Sequence, residues 1–233
     1  MKRVVLDRLQ AARAAKRPVA LATDVKTGAQ ALLDDKDVSG DLSLSSAALA
    51  AVKKALADDK SGMIEAEGGT VFVQVFNPPL RMVVVGAVHI AQALAPMAAL
   101  TGYEVVIVDP RRAFATDARF PNTEVTTEWP DDALARLKPN RRTAIVTLTH
   151  DPKIDDPALQ AALKSDAFYV AALGSKKTHA ARLSRLKEAG FDEAAMGRIH
   201  GPAGLSIGAK SPAEIALSIM GQATQVLHGR DAG

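Results

Sequence analysis

The sequence predicts an α/β protein, a doubly wound parallel sheet preceded by a smaller α+β domain. Three observations carry this. Residues 81–109, RMVVVGAVHIAQALAPMAALTGYEVVIVD, read as strand, glycine turn, helix and second strand. Two later apolar runs, 143–148 and 167–173, are each followed by a helical pattern, and strands alternating with helices imply parallel pairing. Asn77-Pro78-Pro79 interrupts the chain, and consecutive prolines stop both helix and ladder. Residues 1–79 are therefore expected to form one domain and 80–233 the other.

In the first domain, residues 4–15 interleave charges with apolar positions as an amphipathic helix does. Residues 19–25 are strand-like, 26–28 form a turn and 31–33 a short partner strand. Residues 34–41 read as a loop. Ser46 is placed as the cap of a helix running to Asp58, with Leu49, Val52 and Leu56 on one face. Residues 63–66 and 70–76 then form a hairpin about Glu67-Gly68-Gly69.

In the second domain, residues 82–85 suit a strand buried on both faces. Gly86 breaks it, and Ile90, Ala93, Leu94, Met97 and Leu100 follow at helical spacing until Gly102. Residues 104–108 form the next strand, which ends on Asp109. A third strand is read at 125–127, a helix at 131–137, and a fourth strand at 143–148. Asp156-Pro157 reads as the start of a helix to Leu163. The strand at 167–173 leads through Gly174-Ser175 into a helix ending near Ala189. Ser211-Pro212-Ala213-Glu214 is a capping box that opens a last helix to Leu227. The whole second domain is thus Rossmann-like.

Composition narrows the function. Of 233 residues, 48% are hydrophobic and 24% charged, ordinary for a globular protein with ample core. The formal net charge of +3 is spread without a basic block, so no nucleic-acid partner is expected. There is no cysteine, which excludes disulfides, thiolate metal sites and a cysteine nucleophile. Residues 83–100 approach membrane length but contain Gly86, His89, Gln92 and Pro96; no membrane span and a cytoplasmic location are expected.

In a doubly wound sheet, ligands bind beyond the carboxyl ends of the strands, where strand order reverses. The first strand delivers Gly86 and His89 to that edge, and the second delivers Asp109, Arg111 and Arg112. The fourth brings Thr149, His150 and Asp151, and the fifth Gly174, Ser175, Lys176, Lys177, His179 and Arg182. The later loop GPAGLSIGAK adds Gly201 and Gly204. A helix N-terminus after Gly174-Ser175, flanked by lysines, points amide donors, dipole and cations at one place, which suits an anion. Asp109 is the candidate acceptor for a ribose hydroxyl, with Arg111 or Arg112 open to a phosphate. The dinucleotide fingerprint G-x-G-x-x-G/A would fall on Gly86, Val88 and Ala91. A valine at its second position crowds a pyrophosphate, so NAD(P) binding is not favoured. No catalytic constellation and no metal-ligand set is read.

The motifs GAVHIAQALAPMAALTGYEVVIVDPR, FATDARFP, TLTHDPKIDDPALQAAL, FYVAALGSKKTHAARLSRLKEAGF and IHGPAGLSIGAKSPAEIALSI together resemble the C-terminal domain of the XdhC/CoxI family, over about residues 81–227. These are accessory proteins of xanthine and carbon monoxide dehydrogenases. The resemblance implies a maturation factor that binds molybdenum cofactor (molybdopterin) and helps insert it into an apo molybdenum hydroxylase. It also implies a cofactor-sulfurating enzyme as a further partner, and it is compatible with a homo-oligomer. The family pattern has GAGH where this chain has Gly86-Ala87-Val88-His89. Its glycine-serine-rich segment ending in cysteine has no counterpart in residues 1–79. The alternatives are an NAD(P)-dependent oxidoreductase and a regulatory protein with a vestigial pocket.

Overall fold

A computed structural model of the chain describes residues 2–34, 37–66 and 69–229. These divide into two compact units, 1–78 and 79–233.

The first unit runs α1 (Arg3–Ala14), β1 (Val19–Asp24), β2 (Gln30–Leu33), β3 (Val38–Gly40), α2 (Ser46–Ala57), β4 (Gly62–Ala66) and β5 (Gly69–Phe76). Its antiparallel sheet has the order β3-β2-β1-β5-β4. The alternation of strand side chains separates two apolar clusters. Ala20, Ala22, Leu33, Val71 and Val73 pack with Val52 and Leu56 of α2, while Val19, Leu21 and Leu32 pack with Val5, Leu9 and Ala12 of α1.

Two expectations in this unit need correction. The stretch read as a loop contains β3, which pairs with β2 through Leu32 and Ser39; three residues are too few for a periodic signal. The helix cap is Ser45, whose side chain accepts from the Ala48 amide. Ser46 is the first helical residue, a one-position ambiguity inherent in a Ser-Ser pair. The expected β4–β5 turn includes Glu67 and Gly68, which lie outside the described residues.

The second unit runs β6 (Leu80–Val85), α3 (His89–Leu100), β7 (Tyr103–Val108), β8 (Glu124–Thr126), α4 (Pro130–Leu137), β9 (Thr143–Thr147), α5 (Pro152–Leu163), β10 (Tyr169–Ala172), α6 (Lys176–Glu188), α7 (Glu193–Met196), β11 (Ile199–His200) and α8 (Pro212–Leu227). All pairings in its sheet are parallel, and the order is β11-β10-β9-β6-β7-β8. Counted from β6, that is the doubly wound order, with the direction of travel across the sheet reversing between β6 and β9. One face is covered by α3 and α8, where Ala91, Leu94, Ala95 and Ala98 meet Ala216, Ile219, Met220 and Ala223. The other is covered by α4, α5 and α6, around Val83, Val85, Ile145, Leu159 and Leu186.

The buried face of α3 is one position out from the expected one. Alanines 91, 95 and 98 are inside with Leu94, whereas Leu100 is 89% exposed. Small residues let α3 lie close to α8, and that geometry outweighs raw hydrophobicity in choosing the inner face. The α5 start also moves. Asp151 is the N-cap, its carboxylate accepting from Lys153, and Pro152 takes the first helical position. Pro157 therefore lies inside the helix, in its first half, so an Asp-Pro pair recurs twice and the earlier one wins. The short elements α7 and β11 carry no periodic signal, and β11 places His200 in the sheet beside Ala171. The capping box of α8 is formed by Ser211 and Glu214.

Candidate functional site

The turns after β6, β7, β9 and β10 share the carboxyl edge of the parallel sheet. At the reversal point, Gly86 has φ +112, and a Cβ there would stand 2.6 Å from Thr149 Cγ2. Glycine is thus required twice, by the backbone angle and by the closeness of the β9 turn.

Asp109, at the tip of β7, is fully buried. Its Oδ2 accepts from the Ala87 amide at 2.8 Å, and Arg111 reaches both carboxylate oxygens, with Nε at 2.9 Å and Nη2 at 2.7 Å. Burial pushes this carboxyl upward, but the Arg111 and Ala87 hydrogen bonds outweigh it and hold the group below the usual carboxylate range. The expected ribose acceptor is therefore already committed to protein donors. The Ala87 carbonyl is committed too, accepting from Arg119 Nη1 at 2.7 Å. Arg119 also reaches the Phe114 carbonyl and Gln92 Oε1, and the Phe114 ring lies 4.6 Å from the Arg111 guanidinium carbon. The segment after β7 is fastened over the first turn by these contacts. Val88 is the N-cap of α3 in extended backbone and offers no side-chain acceptor.

The β9 turn is organised by a residue that sequence reasoning missed. Asp155, 1% exposed, accepts from Thr149 Oγ1 at 2.6 Å and from the His150 amide at 3.0 Å. Thr149 in turn accepts from the Asp151 amide. Burial raises the Asp155 carboxyl, partly countered by Thr149 and Arg182. Its signal in the sequence is positional: Asp155, Ala158, Leu159 and Ala162 fall on one helical face, all buried.

The β10 turn leads into α6. Ser175 is its N-cap, accepting from the Thr178 amide at 3.1 Å. The amides of the first helical positions have no acceptor within a helix, and Lys176 and Lys177 are exposed beside them. Arg182, grouped by sequence with these lysines, sits instead in the core at 1% exposure. Its Nη2 donates to the Leu173 carbonyl at 2.8 Å, and its Nη1 lies 3.5 Å from His179 Nδ1. Its Nε is buried without a hydrogen-bond partner. His179 is half-buried, and burial together with Arg182 lowers its pKa. A Cβ at Gly201 would fall 2.1 Å from His179 Nδ1, so this glycine lets the last loop close against the imidazole. Gln222 of α8 holds the same loop, accepting from the Gly204 amide at 2.9 Å and the Tyr169 hydroxyl at 2.7 Å. His200 packs on Tyr169 with ring centroids 5.0 Å apart.

The structure therefore joins Gly86 to Thr149, Asp109 to Arg111, Thr149 and His150 to Asp155, and His179 to Arg182 and Gly201. His89 at the start of α3, and Arg112 and His150 in the turns after β7 and β9, are exposed. Among the described residues, no group of three histidine or acidic side chains could hold a metal ion, and no helix is long and apolar enough to cross a membrane.

Parallel order and a reversal point at β6 and β9 define a Rossmann-type domain. Residues 82–223 match the family model described as the XdhC Rossmann domain, and the chain belongs to that family. It is 32% identical over 151 residues to the molybdenum cofactor insertion chaperone PaoD of Escherichia coli (strain K12), covering 65% of this chain and 41% of that protein. It is 30% identical over 155 residues to a protein of Bacillus subtilis (strain 168) described as a probable xanthine dehydrogenase subunit, covering 66% and 45% respectively. The chain thus spans less than half the length of these relatives. A crystal structure described as a xanthine dehydrogenase from Bacillus halodurans shares the fold, with a TM-score of 0.72 at 24% identity over 97% of this chain and 64% of that one.

Proposed function

We propose that this chain binds molybdenum cofactor at the carboxyl edge of its parallel sheet and assists its insertion into a molybdenum hydroxylase of the xanthine or carbon monoxide dehydrogenase type. The observation that carries this reading is the start of α6, where first-turn amides and the exposed Lys176 and Lys177 are followed two turns on by a buried arginine whose Nε has no hydrogen-bond partner. The cofactor is an anionic pterin with a phosphate, and such a cradle suits the phosphate. His150 and His179 would lie toward the rest of the ligand, and the loop of Gly201 and Gly204 would border it. When bound, the cofactor supplies the metal centre used by the client enzyme; the chain's own residues bind and shield it. Family membership and the chaperone named among the relatives support this. The apo-hydroxylase is the partner that this reading requires.

Native mass spectrometry of protein purified from a molybdenum-replete host tests the reading directly. A mass increment equal to molybdenum cofactor is expected, together with increased activity of a co-expressed hydroxylase. A strain lacking the protein that still makes fully molybdenum-loaded hydroxylase would overturn it.

A further inference from the structure

We propose that Asp155, which lies outside the set assigned to ligand, is the positioning residue of the anion site: it locks the loops after β9 and β10 into one arrangement. This rests on the reading of the carboxyl edge as an anion site. Asp155 occupies a buried helix face whose next positions, Ala158, Leu159 and Ala162, are apolar. A carboxylate there is costly unless its bonds are met. They are met by one loop. Oδ1 takes the Thr149 hydroxyl at 2.6 Å, and Oδ2 takes the His150 amide at 3.0 Å. His150 has φ 63, a left-handed conformation uncommon for a non-glycine residue, and the hydrogen bond that its backbone N–H donates to Asp155 supports it there.

From the same carboxylate the charges continue to the next strand. Arg182 Nη2 is 4.0 Å from Asp155 Oδ2 and donates to the Leu173 carbonyl at 2.8 Å. Nη1 of the same guanidinium lies beside His179. One buried pair thereby ties Thr149 and His150 of the β9 turn to Leu173 and to His179 in the first turns of α6. Rotamers and loops held in this way keep a site at its working geometry before ligand arrives.

Charge alone predicts the opposite of positioning, which makes the inference testable. Removing a carboxylate near an anion site should tighten anion binding by Coulomb's law, whereas removing a positioning residue should loosen it. Sulfate is the probe, titrated into the full chain by calorimetry and by amide NMR. Folded Asp155→Asn is expected to bind sulfate at least about fivefold more weakly, with the Thr149, His150, Leu173 and Gly174 amides shifting together before sulfate is added. Unchanged or tighter binding would overturn the inference while leaving the anion site standing. Wild-type protein that takes up no sulfate would overturn both. Should Asp155→Asn fail to fold, Arg182→Met is compared with Asp155→Leu/Arg182→Met, whose apolar pair suits the layer. Weaker sulfate binding in the double variant than in Arg182→Met supports positioning, since Thr149 and His150 lose their acceptor; equal or tighter binding refutes it.

Discussion

Arg111 grips Asp109 at both carboxylate oxygens, 2.9 and 2.7 Å away, and the acid is wholly buried beneath it. The tip of β7 is therefore a closed ion pair rather than an open acceptor. Asp109→Ala removes the partner of Arg111 and of the Ala87 amide together. It is expected to cost about 2–4 kcal/mol, the range for stranding buried hydrogen-bonding groups, read from urea unfolding. A loss below about 0.5 kcal/mol would show that the pair is a surface contact in effect.

Since the Ala87 amide already donates to Asp109, relieving steric crowding should not by itself create a dinucleotide site. Val88→Gly is expected to leave NAD and NADP binding as weak as in the wild type. Calorimetry showing micromolar affinity in the glycine variant would contradict this and return sterics as the sole barrier.

Gly86→Ala should destabilise by about 2–4 kcal/mol, because strain at positive φ adds to a close approach to Thr149. The two causes separate in a double-mutant cycle. Thr149→Ser deletes the methyl that lies 2.6 Å from the added Cβ but keeps the hydroxyl bonded to Asp155. Pairing it with Gly86→Ala should recover the steric part and leave the backbone part. Full additivity would mean that the contact is irrelevant.

The lysines of α6 are expected to act on ligand and not on folding, being exposed. Lys176→Ala/Lys177→Ala should weaken a phosphate-bearing ligand by at least about tenfold with an unchanged melting temperature. Equal affinity would return both to an ordinary solvated face.

Acid should weaken the fold in a definite window. Burial lowers the pKa of His200, and burial with Arg182 lowers that of His179. Groups held low in this way stabilise the folded state above their unfolded pKa, and that contribution is lost as pH falls through the folded value. Melting temperature should therefore begin to drop below about pH 6.5, where free histidine titrates. Asp109, also held low, adds a later loss in the carboxylate range. Asp155, raised by burial, works in the opposite sense: its contribution is present below its unfolded pKa and is lost as pH rises through the folded value. His200→Phe keeps a ring on Tyr169 and should flatten the histidine part of the curve. An identical acid limb in that variant would assign the loss elsewhere.

The sheet was legible because its strands are buried on both faces, so that β6, β7, β9 and β10 read as unbroken apolar runs. The turns after them followed from topology, which is why Gly86, Thr149 and Gly174 reach one edge as expected. What the sequence hid was direction and pairing. Asp109 and Arg182 stand where a ligand-binding acid and base would stand, yet both turn inward, and nothing in a one-dimensional pattern distinguishes a carboxylate facing solvent from one facing Arg111. Asp155 was overlooked because a helix started at Asp156-Pro157 leaves it in the preceding loop, whereas the helix begins at Pro152 and buries it. Its real neighbours come from a turn five residues earlier and from the next helix.

The reversal between β6 and β9 has one more consequence. Gly86 and Thr149 abut there, although the chain passes through β7, β8 and α4 before it returns. The rim of the edge is stitched from segments widely separated along the chain, and among the described residues of this unit the buried charged side chains beneath it are Asp109, Asp155 and Arg182. A change in one rim segment must therefore be matched in another that is distant in sequence, as Gly86 is to Thr149 and Gly201 to His179, so the rim can drift only as a coupled set. Those three sunken charges are the points where such drift must stop.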